Sequence, residues 1–360
     1  MPVSFPLPPG STIGIIGGGQ LGRMLAMAAA RLGFDVAIMD PEPDAPAARV
    51  AAKAIVTAYD DPQGLAALAA VADVITFEFE NVPAKSLQAL AAAGARVAPN
   101  DRALAIAQDR FAEKTFLNEA GAPTVGFAAV DSADDLRAAL QSLGAPLLLK
   151  TRRGGYDGKG QTWVHSARDA DKAWAELGGQ PCIAETPADF RREVAVVAAR
   201  GRSGEIALYP LTESHHEGGI LRRARAPAAA QPRVLAEAER IVATILSALD
   251  YVGVIGVEMF ERDDGKLLVN EFAPRVHNTG HWTLDGCEVD QFEQHIRAIA
   301  GWPLGPTDAL AQVEMTNLLG DEAAAWQRLA QEPETRVWLY GKGEPRPGRK
   351  MGHVNRLTKR

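Results

Sequence analysis

Up to Asn100 the chain alternates short apolar runs with helical spacings, and that rhythm narrows the fold more than any other feature. Thr12 to Ile16 is an apolar run cut by Gly17-Gly18-Gly19, and Leu21 to Leu32 then carries helical periodicity with Gly33 as a stop. Phe34 to Met39 reads as a second strand ending at Asp40. Ile55-Val56 and Val74 to Phe79 read as two more, with an alanine-rich helix from Ala84 to Ala93. Strands separated by helices predict a parallel α/β sheet, because a parallel neighbour needs a crossover to return the chain. Asn100 is placed to cap one long helix running to Ala120, where Gly121 and Pro123 end it, and this helix is the expected hinge into a second domain.

Beyond Val125 the texture changes. Ala145 to Lys150 is an apolar run, Arg153 to Gly160 a glycine-rich loop, Gln161 to Val164 a strand and Ala167 to Leu177 a helix. Strands follow at Cys182 to Glu185 and Glu193 to Ala199, then a long amphipathic helix from Pro232 to Leu249. Two further strands, Gly253 to Glu261 and Lys266 to Phe272, precede a mixed stretch that closes on a basic tail, Arg346 to Arg360. A length of 360 residues allows two or three domains. The net charge of -7 opposes broad coating of nucleic acid. Two cysteines, Cys182 and Cys287, make no disulfide framework and fit a reducing cytoplasm. No run approaches the roughly 18 apolar residues of a membrane span. Met1 to Gly10 is proline-rich, lacks a basic n-region, and is expected to be a disordered extension.

Three local patterns carry chemistry. Gly17 to Gly22 satisfies G-x-G-x-x-G between a strand and a helix, a turn whose free N–H groups suit a phosphate. Asp40 stands where a dinucleotide fold keeps its ribose-binding acid, so NAD is one candidate and the owner of the phosphate stays open. Secondly, Asp264-Gly265 between apolar runs predicts a two-residue type I′ hairpin, which makes Glu258 and Glu271 direct cross-strand partners. Like charges placed opposite each other are destabilising, so a hard divalent cation held by oxygen ligands is expected between them. Two solvated glutamates on an exposed face are the bland alternative, opposed by the apolar neighbours Val257, Met259, Leu268, Val269 and Phe272. Thirdly, Lys150 ends an apolar run just before a loop with four glycines and Lys159, a set able to fold over phosphates.

Together these residues resemble the ATP-grasp ligases, and within them the 5-(carboxyamino)imidazole ribonucleotide synthases. The matching stretches are Gly17 to Leu25 (GGGQLGRML), Lys150 to Gln161 (KTRRGGYDGKGQ), Tyr209 to Leu221 (YPLTESHHEGGIL), Asn270 to Trp282 (NEFAPRVHNTGHW) and Arg346 to His353 (RPGRKMGH). They run in the family's order over nearly the whole chain. The resemblance implies a mixed α/β and α+β architecture. A parallel-sheet pre-ATP-grasp domain would cover 1–104, a two-lobed ATP-grasp domain 105–305 with a mobile lid over about 125–190, and a small carboxy-terminal domain 306–360.

It also implies ATP and Mg2+ as cofactors, bicarbonate and 5-aminoimidazole ribonucleotide as substrates, carboxyphosphate as the intermediate, and a homodimer joined through the amino-terminal domain. No nucleic acid or membrane partner is implied. Glu258 and Glu271 would hold the metal. Arg110, Lys150, Gly155, Tyr156, Asp157, Gly158, Lys159 and Gly160 would surround ATP, with Glu185, Thr186, Pro187, Ala188, Glu193, His216, Asn270 and Glu271. Asp157, Lys159, Arg275, His277, Lys342 and Arg349 would meet the ribonucleotide, with Arg275, His277 and Lys342 taking part in the chemistry. Gly19, Gln20 and Leu21 would face its 5′-phosphate, with Glu80 or its neighbour Glu78 as a further contact. Two departures stand out: Lys159 replaces an arginine common among relatives, and the chain stops soon after Gly352-His353. A different ATP-grasp ligase, such as a formate-dependent glycinamide ribonucleotide transformylase, would share the ATP residues but not Arg346 to His353. A nicotinamide-dependent dehydrogenase would leave Glu258, Glu271 and Lys150 without a purpose.

Overall fold

The computed structural model describes residues 4–155 and 160–358. The first unit is a parallel sheet of β1 (Thr12–Ile16), β2 (Asp35–Asp40), β3 (Lys53–Val56) and β4 (Val74–Phe77), in the order β3-β2-β1-β4. The chain leaves β1 on one side and returns as β4 on the other, so the carboxyl ends of β1 and β4 flank a ligand crevice. Helix Gln20–Arg31 buries Leu21, Met24, Leu25, Ala28 and Ala29, the spacing that lays one stripe against a core. Helix Pro62–Ala69, absent from the sequence reading, has a legible start: the Asp61 side chain accepts from Gly64 N–H, and proline occupies the first turn.

The helix expected from Asn100 to Ala120 is two helices, Asp101–Ala107 and Arg110–Glu119. Asn100 does cap the first, accepting from Ala103 N–H at 2.9 Å. The break comes from Asp109, which accepts from Phe111 and Ala112 N–H (3.0 and 3.2 Å) and is gripped by Arg152 at 3.1 Å. A side chain that competes so well for its own backbone ends one helix and starts another. Arg110 is thereby set at the head of the second.

The lobe expected to act as a lid is an antiparallel sheet of β5 (Phe127–Val130), β6 (Leu147–Thr151), β7 (Gln161–Val164) and β8 (Cys182–Glu185), in the order β5-β8-β6-β7. Helix Ala133–Leu143, capped by Ser132, closes a core of Val130, Leu136, Leu147, Leu149, Val164 and Cys182. A lobe with its own core can move as a body.

The central sheet contains β9 (Arg192–Arg200), β10 (Ile206–Leu208), β11 (Thr212–Glu217), β12 (Ile220–Ala226), β13 (Gly253–Glu261), β14 (Leu267–Ala273), β15 (Gln312–Leu319), β16 (Thr335–Leu339) and β17 (Lys350–Thr358). Its order is β14-β13-β9-β11-β12-β15-β17-β16, with β10 beside β9. The carboxy-terminal strands therefore continue this sheet: β15 pairs with β12, Arg223 facing Thr316 and Ala226 facing Val313. Helix Pro232–Ala248 covers one part of it through Val234, Ala238, Ile241, Val242, Ile245 and Leu246. Helix Gln291–Ala300 packs between the sheet and helix Gln20–Arg31, where Leu25, Ala29, Val197, Ile296 and Ile299 share one core. Arg31 clasps Asp290 and Glu293 across the same seam.

The amino-terminal segment is not disordered from Ser4 onward. Leu7 is buried, its N–H donates to Ala300 O (2.9 Å), and its carbonyl accepts from Trp302 Nε1–H (2.8 Å). The Arg202 guanidinium lies 3.6 Å over the Phe5 ring. Both cysteines are buried and free. Among the described residues no helix is long and apolar enough to cross a membrane.

Candidate active site

Glu258 and Glu271 face each other across β13 and β14, as expected, but the turn that joins the strands is different. Gly265 N–H donates to Arg262 O (2.9 Å) and Arg262 N–H to Lys266 O (3.0 Å), with Gly265 at φ 78°. That is a three-residue loop closed by a bulge, in place of a two-residue type I′ turn. It shifts Met259 to Glu261 by one residue, so Met259 faces Val269. A second bulge at Asn270 shifts the register back and restores the glutamate pair.

Around this pair lies a cleft of about 1480 Å³. Arg110 Nη1 stands 3.0 Å from Glu271 Oε2, and its Nη2 donates to Gly155 O (3.1 Å), so one guanidinium joins the Glu258/Glu271 hairpin to the glycine-rich loop after β6. Lys150 Nζ donates to Glu185 Oε2 (2.7 Å). Glu193 and His216 pair at 2.6 Å, and a bulge between His215 and His216 turns His216 inward while exposed His215 meets Glu217. Arg275 Nη2 pairs with Glu80 Oε1 at 2.8 Å, and His277 Nε2 lies 3.7 Å from Glu258 Oε1.

Electrostatics separate the two carboxylates. Burial, and then the Glu271 charge, push the Glu258 carboxyl above its usual range. Burial acts the same way on Glu271, but the charge and hydrogen bond of Arg110 prevail and hold it low. A cation between them relieves the repulsion. Two carboxylates beside the Asn270 amide are hard oxygen donors, which suits Mg2+. That ion uses one or two carboxylates and completes its shell with water and substrate phosphates. Among the described residues there is no cluster of three or more His, Cys, Asp and Glu that could hold a metal unaided. Burial and the nearby Arg349 bring the Lys342 amine down to about 8. Burial opposes a charged His216, but its bond to Glu193 keeps the ring's pKa above the ordinary value.

The first glycine loop is occupied by its own protein. Gly18 N–H donates to Asp40 Oδ2 (2.6 Å), which also accepts from Tyr59 OH (2.7 Å). Gly19 and Gly22 N–H donate to the two oxygens of Glu78, each at 2.9 Å. Asp40 is therefore a loop brace, buried and spoken for, and no ribose-binding acid is presented. The glycines are needed for these approaches: a Cβ at Gly19 would stand 2.6 Å from Glu78 Oε1, and one at Gly22 2.6 Å from Gly17 O.

Gly19, Gln20, Leu21, Glu80, Arg110, Lys150 and Gly155 all line the cleft, as do Glu193, His216, Glu258, Asn270, Glu271, Arg275, His277, Lys342 and Arg349. Glu185 lies just behind, held by Lys150 and Lys114. Gly160, Thr186, Pro187 and Ala188 are outside the lining, and Thr186 exchanges two hydrogen bonds with Gly126. Tyr156, Asp157, Gly158 and Lys159 lie outside the described residues. Sequence reasoning missed Glu113 and Lys114. Glu113 accepts from Phe272 N–H (2.7 Å), and buried Lys114 donates to Asn270 O (2.8 Å), bracing the bulge that restores the glutamate register. The available signal was the spacing of Arg110, Glu113 and Lys114, which puts three charges on the helix face that also carries Leu117.

Three family models match the chain: a ribonucleotide synthetase preATP-grasp domain over 11–108, an ATP-grasp domain over 115–292, and a phosphoribosylaminoimidazole carboxylase C-terminal domain over 314–360. The N5-carboxyaminoimidazole ribonucleotide synthase of Brucella melitensis biotype 1 is 52% identical over 356 residues, covering 98% of each chain. The chain belongs to the N5-carboxyaminoimidazole ribonucleotide synthase family. The family's Pseudomonas aeruginosa member is 46% identical over 95% of this chain and 93% of its own. A crystal structure of an N5-carboxyaminoimidazole ribonucleotide synthetase in complex with ADP superposes with a TM-score of 0.94 at 40% identity, covering 99% and 95% of the two chains. An Aspergillus clavatus N5-carboxyaminoimidazole synthase bound to ADP and 5-aminoimidazole ribonucleotide gives 0.91 at 31% identity, covering 97% and 94%. The chain thus combines a preATP-grasp unit, an ATP-grasp unit and a carboxy-terminal segment.

Proposed function

We propose that the cleft carboxylates the amine of 5-aminoimidazole ribonucleotide by way of carboxyphosphate, with bicarbonate as the carbon source and ADP and phosphate as the other products. The ATP-dependent ligase activity, the use of Mg2+-ATP and the place in purine biosynthesis follow from membership of the family. The observation that carries the reading for this chain is the Glu258/Glu271 pair within reach of Arg110, Arg275 and His277 in a single cleft. Glu258 and Glu271 would hold Mg2+ against the triphosphate, where charge stabilisation dominates phosphoryl transfer. Arg110, Lys150, Gly155, Glu193, His216 and Asn270 would line the nucleotide, with 156–160 and 185–188 as the further contacts expected from sequence. Arg275, His277 and Lys342 would meet the reacting groups, and Arg349 with Gly19 to Leu21 the ribonucleotide. Phosphorylation turns bicarbonate oxygen into a leaving group that the amine can displace.

The same reading takes 1–104, 105–305 and 306–360 as the three functional units, and the assembly as a cytoplasmic homodimer. It is tested by phosphate release from ATP, which is expected to require both 5-aminoimidazole ribonucleotide and bicarbonate. Stimulation by glycinamide ribonucleotide and formate instead would overturn the substrate. NADH binding without ATP binding would overturn the ligase reading altogether.

A further inference from the structure

We infer that Thr279 fixes the His277 ring in the tautomer that carries its proton on Nε2, so that His277 meets the reacting oxygens as a neutral hydrogen-bond donor. The inference deepens the proposed function and rests on it for the identity of those oxygens. His277 opens the short turn Asn278–Gly280. Its Nδ1 lies 2.8 Å from Thr279 Oγ1 and accepts the Thr279 backbone N–H at 3.4 Å. Thr279 is fully buried, so solvent cannot replace either bond. A backbone N–H can only donate. A proton on Nδ1 would therefore face another N–H and strand it in the interior, and a buried unpaired donor is costly.

The opposite edge of the ring is the one turned to the cleft, with Nε2 3.7 Å from Glu258 Oε1. The ring has little freedom to turn over. Fully buried Gln291 grips the His277 peptide from both sides, accepting its N–H at 2.8 Å and donating to its carbonyl at 2.7 Å. On β13 a Cβ at Gly256 would stand 2.5 Å from His277 Cβ, so the strand floor beneath the residue is closed.

The chemical consequence is specific. With Nδ1 engaged as an acceptor and Nε2 already protonated, His277 cannot take a proton from the attacking amine. It can donate to oxygen anions of the bicarbonate and carboxyphosphate class, where negative charge gathers. Thr279 is then a positioning residue that acts through His277.

The test reads the imidazole nitrogens by NMR in the full chain labelled with nitrogen-15 histidine and free of substrate, the His277 signals being assigned by their loss in His277→Gln. The Nε2–H form should outweigh the Nδ1–H form by about tenfold or more. Thr279→Val should weaken that preference and lower kcat by about tenfold with the KM for ATP unchanged, and Thr279→Ser should restore both. An Nδ1–H ring in the wild-type chain, or a Thr279→Val variant with tautomer and kcat intact, would overturn the inference. The tautomer is read without any turnover. An Nε2–H ring in a chain whose ATP turnover ignores 5-aminoimidazole ribonucleotide would uphold the Thr279 lock and sink the proposed substrate.

Discussion

His295 joins the first sheet to the central one, and its burial makes the joint sensitive to acid. One ring nitrogen lies 2.8 Å from Thr76 Oγ1 of β4, and Nδ1 accepts Val254 N–H of β13 at 3.1 Å. Burial alone lowers its pKa to about 3, against roughly 6.5 in an unfolded chain. Between those values the unfolded chain binds a proton that the folded chain refuses. The contribution of His295 to stability is therefore complete above about pH 6.5 and shrinks by about 1.4 kcal/mol per unit as pH falls towards about 3. Moving from about pH 7 to about pH 5.5 should remove about 1.3 kcal/mol through this residue. The whole-protein curve mixes signs. His281 and His353, also buried with lowered pKa, lose stability in the same window, whereas Glu78 and Asp290, raised by burial, gain it. A comparison with His295→Gln isolates the residue, since glutamine keeps a donor and an acceptor but does not titrate. Urea unfolding at both pH values should show the wild-type chain losing about 1.3 kcal/mol more than the variant. Equal losses would refute the argument that His295 is held neutral between the domains.

Glu258→Gln should lower ribonucleotide-dependent phosphate release by about 100-fold or more, yet raise the Tm of the ligand-free chain, because it removes one of two facing carboxylates worth about 0.2–1 kcal/mol of repulsion. Retained turnover with a lower Tm would end the metal assignment. Chelation with EDTA should stop turnover and added Mg2+ should restore it, as followed by phosphate release; activity that persists in chelator contradicts the two-carboxylate site. Gly22→Ala would push a Cβ to 2.6 Å from Gly17 O and should cost about 1–3 kcal/mol in urea unfolding, and an unchanged midpoint would show that the loop is looser than its hydrogen bonds require.

The strands of the first sheet were legible because each is a short apolar run fenced by glycine or a polar turn, and β1 falls on the expected residues. The glutamate pair was also legible, though by a compensation. The turn after Glu261 is one residue longer than the type I′ reading allows, and the bulge at Asn270 takes that residue back. Lys114, which holds the bulge, was invisible because a buried lysine is rare enough to pass for a solvated one. The break at Gln108-Asp109 carries no glycine or proline; Arg152, distant in sequence, helps make it. β15 and β17 went unread because each turns one or two polar residues into the interior. Asn317 is buried opposite His353, and Asn355 reaches Asp285 at 2.7 Å, so the strand pattern is decided by what covers it. The loop's glycines announced a phosphate cover in sequence, and among the described ones Gly154 and Gly155 stand in the cleft wall.

A chain with a net charge of -7 that binds anionic substrates must solve its electrostatics at contact distance. A broad basic surface would steer anions from afar, and this chain has none to spare. Instead the cleft keeps most of its cations beside carboxylates: Arg110 with Glu271, Lys150 with Glu185, Arg275 with Glu80 and His216 with Glu193. Each pair is partly or fully withdrawn from water, where an unpaired charge would be costly and a paired one is oriented. At Lys342, burial and the Arg349 charge pull the amine down to about 8, against an opposing pull from the Glu78 carboxylate. Glu78 offsets the burial and the like charge only in part, so an anion docking beside Lys342 would add charge of the sign that favours its protonated form.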